Sequence, residues 1–161
     1  LTADIFRYWA GVFGVRLARF VIPNPFGPME EKRFMAYLIG KWLSGEVAGV
    51  NTPDYLRDNI HVSLLAKAYC RFAEELVAGS DRSQLNPSGY VESQGAFAQR
   101  VAREMAPRLG KPCLLDLARQ TVFDEPIMRV NCDRADPVAL SWDEARSWDD
   151  LADYYLAGRG Q

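Results

Sequence analysis

Apolar residues recur at helical spacing from the start of the chain, at Ile5, Trp9, Val12 and Phe13. Positions three and four apart lie on one face of a helix, so we predict a helix over residues 2–13. No turn or loop signal precedes this pattern. We therefore expect that the chain begins partway through a helix of a longer protein.

The next apolar positions predict a strand. In "VRLARFVIP", Val15, Leu17, Phe20 and Ile22 follow with few interruptions, which is typical of a buried strand. The stretch "NPFGP" (residues 24–28) contains two prolines and a glycine, so we expect it to end the strand and form a loop. Another strand is predicted over "YLRDNIHV", and shorter ones over "EVAGV", "QLNPSGY", "PCLLDLA" and "MRVNCD".

Helical spacing returns in four later segments. One helix is predicted over about residues 30–44, and the next follows Ser63, which we expect to be its N-cap. The last helix is indicated by the capping-box pattern Ser141-x-x-Glu144. The apolar faces of the last three helices comprise Leu65, Ala68, Tyr69, Phe72 and Leu76; Phe97, Val101 and Met105; and Trp148, Leu151, Ala152 and Tyr155. Short strands that alternate with helices predict an α/β fold.

The composition narrows the possible partners. The chain has 161 residues, of which 48% are hydrophobic and 25% charged, as expected of a globular domain. A net charge of -2 gives no electrostatic reason to bind nucleic acid. The longest apolar run, Trp9–Val15, is far shorter than the roughly 20 residues of a membrane-spanning helix. We expect neither nucleic acid nor a membrane as a partner.

The cysteines indicate the cellular compartment, and the histidine content limits the metal and catalytic sites that are possible. Cys70, Cys113 and Cys132 are odd in number and lack a C-x-x-C pair, which favours reduced thiols and a cytoplasmic protein. We expect Cys70 to be a small buried residue on its helix. His61 is the only histidine, so zinc sites and His-based triads are poorly supplied, and no metal site is expected. We interpret His61 as a hydrogen-bonded part of the scaffold.

Two segments carry a resemblance to a known family. "RFVIPNPFGP" places Asn-Pro-x-Gly after a predicted strand, and "LRDNIHV" follows about thirty residues later. Together they resemble the C-terminal half of extended short-chain dehydrogenases/reductases, the NAD-dependent nucleotide-sugar epimerases and dehydratases. The resemblance continues through "LNPSG" and "MRVNCD" to "LSWDEARSWDDLADYY".

The resemblance implies a division of the chain. Residues 1–28 would be a remnant of the Rossmann-type domain, with its last helix, its strand and the substrate loop, and residues 29–161 a small mixed α/β substrate-binding domain. The Rossmann nucleotide loop is absent. Gly11 and Gly14 match two of its glycines, but Leu17 stands at the third and no helix start follows.

Tyr37 and Lys41 have the Tyr-x-x-x-Lys spacing of catalytic residues in this family. In the family, however, that pair comes before the Asn-x-x-Gly loop, whereas Tyr37 and Lys41 come after "NPFGP". The resemblance therefore implies that Tyr37 packs, that Lys41 is solvated, and that the catalytic pair lies upstream of Leu1. We expect no catalytic residue and no bound cofactor in this chain.

The resemblance also implies substrate-binding residues. Asn24 would donate to the pyrophosphate of the substrate, at the carboxyl end of a strand, where open α/β sheets bind ligands. Arg57 would anchor the diphosphate, which suits a planar guanidinium that stays charged. The structural alternatives are an ordinary Asn-Pro turn for Asn24 and a surface ion pair with Asp54 or Asp58 for Arg57.

The resemblance implies further residues in contact with the nucleotide, each with an alternative interpretation. Arg33 and Phe34 fall where the family lines the nucleotide base and ribose, although a solvated Arg and a core Phe would also fit. Arg119 with Asp124 falls near the second phosphate and the ribose, and Arg129 competes for the same role.

We therefore hypothesise that the chain is the substrate-binding part of an NAD(P)-dependent nucleotide-sugar epimerase or dehydratase. The resemblance implies hydride transfer at a sugar carbon in the full-length enzyme, with NAD or NADP as cofactor. The chain alone would be inactive, and it can be expected to form a homodimer. The alternative is a non-catalytic nucleotide-sugar-binding or protein-interaction module derived from the same fold.

Overall fold

The computed structural model describes residues 2–31 and 33–158. Helices and short strands alternate along them, which confirms the α/β prediction. In chain order the elements are α1 (Thr2–Phe13), β1 (Arg19–Phe20), β2 (Asn24–Phe26), α2 (Phe34–Leu43), β3 (Ala48–Val50), β4 (Leu56–His61), α3 (Val62–Val77), β5 (Gln84–Leu85), β6 (Pro87–Ser88), β7 (Tyr90–Ser93), α4 (Gln94–Leu109), β8 (Leu115–Leu117), β9 (Met128–Arg129), β10 (Asp133–Arg134) and α5 (Glu144–Leu156).

Strand β4 organises the largest sheet. It pairs in parallel with β2, with Asn24 opposite Asn59, and antiparallel with β7. Strand β9 also joins β4 in parallel, with Arg129 opposite Arg57. Three two-stranded parallel sheets complete the pairing of the described strands: β1 with β5, β3 with β8, and β6 with β10.

The core lies where α2, α4 and α5 cover β2 and β3. Leu38 and Trp42 of α2, Phe97 of α4 and Trp148 of α5 are buried there around Phe26 of β2. The predicted stripes of α4 and α5 are confirmed, because every predicted residue on them is buried. Local signals bound α4 as well: Ser93 caps its N-terminus by accepting from the Ala96 N–H, and Gly110 ends it in a left-handed conformation.

The strand predicted over "VRLARFVIP" is wrong in extent. Only Arg19–Phe20 is a strand there, and the next strand forms inside the predicted loop, at Asn24–Phe26. A strand requires a neighbour for its backbone groups, and within the described residues no strand pairs with residues 15–18. As a result, Val15, Leu17 and Ile22 are exposed rather than buried.

The starts of α3 and α5 also differ from prediction. His61, not Ser63, is the N-cap of α3, and Asp143, not Ser141, caps α5 by accepting from the Arg146 N–H. On α3, Leu64 rather than Leu65 is buried, four residues before Ala68 and on the same face.

Other positions on α3 depart from prediction as well. Tyr69 and Cys70 are exposed, so the expectation of a buried Cys70 is wrong. Of the remaining predicted face, Ala68 and Phe72 are buried.

Helix α1 spans the predicted residues, and its first turns line a surface cavity with residues 17–19 and 83–84. None of Thr2–Phe13 is buried, and Ile5, Trp9, Val12 and Phe13 are all at least half exposed. The rings of Trp9 and Phe13 stack with their centroids 5.5 Å apart. An amphipathic helix ordinarily buries its apolar stripe, so α1 presents a face without a partner among the described residues. The predicted division at residues 28 and 29 stays a prediction.

Among the helices of residues 2–31 and 33–158, none has both the length and the apolar character needed to cross a membrane.

Candidate functional site

A cavity of about 190 Å³ lies on the β2–β4 face, between the first turns of α2 and α4. Residues 57 and 59 point to the same face of β4 because side chains alternate along a strand. The lining residues are Asn24, Pro25 and Phe26 of β2, Arg57 and Asn59 of β4, Arg33, Phe34 and Met35 at the start of α2, Gln94 and Phe97 of α4, and Glu30.

The cavity brings together four of the six residues predicted to bind substrate: Asn24, Arg33, Phe34 and Arg57. The predicted setting of Asn24 is wrong, however. Asn24 is the first residue of β2 and does not follow the carboxyl end of a strand. The cavity is lined by all of β2 and by Arg57 and Asn59 of β4, beside the N-termini of α2 and α4.

Two helices point their N-termini at the cavity. Arg33 is the N-cap of α2 without a side-chain cap hydrogen bond, and Phe34 and Met35 form its first turn. Gln94 is the first residue of α4. The helix dipole favours a negative charge at both ends, but their first-turn N–H groups already have partners: protein oxygens at α4, and the Glu30 carboxylate at α2.

The Arg57 guanidinium is held firmly at the cavity wall, with a side chain that is only 12% exposed. Its Nη1 donates to the carbonyl oxygens of Leu56 (2.9 Å), Ile127 (3.1 Å) and Pro126 (3.2 Å). The guanidinium carbon lies 4.4 Å from the centre of the Tyr55 ring, as in a cation–π contact.

The acidic partner of Arg57 is neither of the two candidates from the sequence. Its Nη2 lies 3.2 Å from Oε2 of Glu125. Asp58 is buried instead, where its carboxylate accepts from the backbone N–H groups of Gly89 (2.8 Å) and Asn131 (3.0 Å). Asp58 therefore joins β4 to two other segments.

Arg33 and Phe34 occupy different environments. Arg33 is exposed, and its Nη2 lies 2.7 Å from the Glu31 carboxylate. Phe34 is half-buried and packs against the core while it lines the cavity.

Glu30 is a cavity residue that the sequence reasoning missed. Its carboxylate accepts from the Gly27 N–H at 3.3 Å. Burial raises the pKa of Glu30, although the N–H groups of Gly27, Ala36 and Met35 and the charge of Arg33 act in the opposite direction. An acidic residue at the predicted start of a helix was the available signal.

Asn59 and Gln94 were also missed. Asn59 lies two positions after Arg57 on the same predicted strand, so alternation along the strand could have indicated it. Gln94 had no comparable signal.

Arg119, Asp124 and Arg129 lie outside the cavity lining. Arg119 is exposed just after β8, and the Asp124 N–H donates to the Tyr55 hydroxyl at 2.9 Å. Arg129 is next to Arg57 in the sheet, and its Nη1 lies 3.3 Å from the same Glu125 oxygen. Arg129 shares Glu125 with Arg57, and Asp124 shares Tyr55 with it.

His61 serves the scaffold, as predicted. Its Nδ1 accepts from the Ser63 N–H at 3.2 Å, which caps α3. Nδ1 also lies 2.7 Å from the Ser63 hydroxyl, whereas Nε2 is the one buried side-chain polar atom of the described residues that has no hydrogen-bond partner. Burial lowers the pKa of His61 to about 4, despite the charge of Asp150.

The sequence matches no protein-family model and no curated protein. Among solved structures, UDP-N-acetylglucosamine 4-epimerase from Methanobrevibacter ruminantium is similar, with a TM-score of 0.68 and 17% identity over 96% of this chain and 50% of that one. A UDP-glucuronic acid 4-epimerase from Bacillus cereus has a TM-score of 0.64 and 13% identity over 96% and 50% of the two chains. UDP-glucose 4-epimerase from Thermus thermophilus has a TM-score of 0.60 and 15% identity over 96% and 51%.

The chain has the fold of one half of these UDP-sugar 4-epimerases. It spans about half of their length, and the predicted α/β fold shared with part of these enzymes is confirmed. The Bacillus cereus and Thermus thermophilus proteins were solved with NAD, and the former also with a UDP-sugar.

Tyr37 and Lys41 make separate contacts on α2. The Tyr37 hydroxyl lies 3.1 Å from the Gly49 nitrogen and 3.2 Å from its oxygen, and Lys41 lies 2.6 Å from the Glu46 carboxylate. Neither residue lines the cavity. Tyr37 is partly exposed and hydrogen-bonded to β3, which attaches α2 to that strand.

Proposed function

We propose that this chain is the substrate-binding part of an NAD(P)-dependent nucleotide-sugar epimerase or dehydratase, and that its cavity binds the nucleotide diphosphate. The observation that carries the proposal is the convergence of Arg57, Arg33 and Asn24 with two helix N-termini on one cavity. The three residues are far apart in sequence, and each can donate to phosphoryl oxygens.

The chemistry of a nucleotide diphosphate suits this wall. The largely buried Arg57 guanidinium would bind phosphoryl oxygens without titrating, and the dipole of α2 would stabilise the charge. Phe34 would supply an apolar surface to the base, and Arg33 a cation at the more solvated side. Arg119 and Arg129 lie outside the cavity lining, so a role for either at the second phosphate stays a prediction.

NAD or NADP does not fit the residues described here. Dinucleotide-binding folds hold the pyrophosphate on a glycine-rich turn at a helix N-terminus. Gly11 lies within α1, and Gly14 follows its C-terminal end. We propose that cofactor binding and hydride transfer belong to the half of the epimerase fold that this chain does not span. Titration with NAD in the low micromolar range should then give no saturable heat, and saturable binding would contradict this part of the proposal.

Replacement of Arg57 tests the diphosphate site. Arg57→Ala should weaken the binding of UDP by about 2–3 kcal/mol, roughly 30-fold or more, because a desolvated charge-assisted contact is lost. The measurement is isothermal titration calorimetry of the 161-residue chain with UDP. Arg146→Ala is the matched control, since Arg146 is an exposed residue of α5 that pairs with Asp150.

An unchanged dissociation constant for Arg57→Ala, in a variant that retains the circular dichroism spectrum of the wild type, would remove Arg57 from the site. Arg57→Lys adds a second measurement. It keeps the charge but not the planar fork, so it should bind UDP with an intermediate affinity.

The exposed face of α1 supports a second candidate, a non-catalytic binding or interaction module. Its aromatic residues Tyr8, Trp9 and Phe13 are accessible to another protein or to a second copy of the chain. A stable chain that self-associates through α1 and does not bind UDP would favour this module over the enzyme half.

A further inference from the structure

Glu125 is a carboxylate at the edge of the candidate diphosphate site. One of its oxygens, Oε2, lies 3.2 Å from Nη2 of Arg57 and 3.3 Å from Nη1 of Arg129. Both distances are longer than the roughly 2.7–2.9 Å of a strong charge-assisted hydrogen bond. The Glu125 side chain is 51% exposed, so water competes with both contacts.

The two guanidinium groups differ in what else holds them. The Nη1 hydrogens of Arg57 are used by the backbone carbonyl groups of Leu56, Pro126 and Ile127, which carry no net charge. Glu125 is therefore the side-chain counter-charge of Arg57 among its described contacts. Arg129 is 56% exposed and lies next to Arg57 in the ladder, so it is free to follow the carboxylate.

The backbone around Glu125 is fixed independently of its side chain. The N–H groups of Asp124 and Glu125 both donate to the Tyr55 hydroxyl, at 2.9 and 3.2 Å. Tyr55 is itself buried. The carboxylate can therefore leave Arg57 by a side-chain rotation, while the segment stays attached to β4.

We propose that Glu125 is a built-in competitor for the anion at Arg57, and that Arg129 holds the displaced carboxylate when a diphosphate binds. The inference rests on the proposed function, since it concerns how a ligand gains access to the same guanidinium. Without a ligand, Glu125 neutralises the charge of Arg57. With a diphosphate on Arg57, Glu125 moves to Arg129, which keeps the two negative groups apart.

The experiment compares UDP affinity in four forms of the chain: wild type, Glu125→Gln, Arg129→Gln and the double variant. Glu125→Gln should bind UDP about two- to fivefold more tightly, the range expected for removing one solvent-screened charge contact. Arg129→Gln should weaken UDP binding by a similar factor, because the carboxylate then stays on Arg57. In the double variant, the effect of Arg129→Gln should disappear.

Calorimetry at low and at elevated salt gives the dissociation constants, and both effects should shrink as salt screens the charges. Glu75→Gln is the matched control: it removes an exposed carboxylate of α3 that pairs with Arg71 and does not line the cavity. Glu125→Ala repeats the main measurement with no residual hydrogen-bond acceptor, and circular dichroism verifies that each variant is folded.

Each outcome decides a different point. An affinity that Glu125→Gln and Glu125→Ala leave unchanged or weaken would overturn the competitor role while the proposed function stands. A loss in Arg129→Gln that persists in the double variant would make Arg129 a direct ligand contact and overturn its part. If UDP binds to none of the forms, the proposed function fails and this inference fails with it.

Discussion

Lowering the pH from 7.5 to 5 should reduce the free energy of unfolding through His61. The residue is 3% exposed, and burial lowers its pKa from 6.5 to about 4. In the unfolded chain the imidazole gains a proton as the pH falls below about 6.5, whereas in the folded protein it stays neutral until about 4. The contribution of neutral His61 to the free energy of unfolding is therefore complete above pH 6.5 and is lost as the pH falls toward 4.

The magnitude follows from this difference in pKa. Since one pKa unit corresponds to about 1.4 kcal/mol, the free energy of unfolding falls by about 3 kcal/mol in total. About 2 kcal/mol of this loss is reached by pH 5. The structural cause is burial of the ring, whose Nε2 atom has no hydrogen-bond partner among the described residues. In a charged ring, a proton on Nε2 would have neither water nor an acceptor.

Urea unfolding of the wild type and of His61→Asn at pH 7.5, 6 and 5 measures the effect. Asparagine is a strong N-cap and can accept from the Ser63 N–H through its side-chain oxygen, but it does not titrate. The variant should lose less stability than the wild type between pH 7.5 and 5, by about 2 kcal/mol. Because the chain has one histidine, no other imidazole contributes to this difference. Parallel pH profiles for the two proteins would refute the reasoning.

The other predictions concern close packing, a buried carboxylate and an exposed helix. Gly89→Ala should lower the free energy of unfolding by about 2 kcal/mol, since an added Cβ would lie 2.5 Å from the Asn59 carbonyl oxygen. Gly40→Ala, with nothing within 4 Å of the added Cβ, should instead stabilise α2 by about 0.5–1 kcal/mol. Asp58→Asn should cost about 1–3 kcal/mol, because one of two backbone N–H groups would face an amide N–H. Trp9→Glu should change stability by less than about 0.5 kcal/mol and reduce self-association measured by light scattering.

Urea unfolding at neutral pH measures the first three changes, and each has an outcome that contradicts it. A Gly89→Ala variant as stable as Gly40→Ala would mean that the backbone at Asn59 can move away from the added Cβ at little cost in free energy. Asp54→Asn, on an exposed residue, is the control for Asp58→Asn, and equal effects would show that burial of Asp58 adds nothing. A wild type that scatters light as a clean monomer would contradict the self-association expected of α1.

The helices were predictable because their apolar stripes are local. Trp148, Leu151, Ala152 and Tyr155 recur at helical spacing, and all are buried on α5. Helix starts were less predictable. Several polar residues near α3 and α5 could cap them, and the choice of His61 and Asp143 depends on packing with other segments.

The strands near the site were harder to predict. Residues 15–22 are as apolar as a buried strand, but a strand exists only where another strand pairs with it. In the structure the pairing falls on Arg19–Phe20 alone within this stretch, and then on Asn24–Phe26 beyond it. The resemblance in "NPFGP" and "LRDNIHV" still indicated the right segments for the cavity, because the residues Asn24 and Arg57 lie on two neighbouring strands.

By itself, the sequence determined the helix pattern, the fold class through its motifs, and Asn24, Arg33, Phe34 and Arg57 as the candidates that the cavity brings together. These depend on residue spacing that can be read along the chain. Only the tertiary structure decided which acid lies beside Arg57. Glu125 is 68 positions away, and it reaches the guanidinium because β9 pairs with β4. A contact between distant segments depends on the pairing of strands, which the local pattern of apolar residues does not specify.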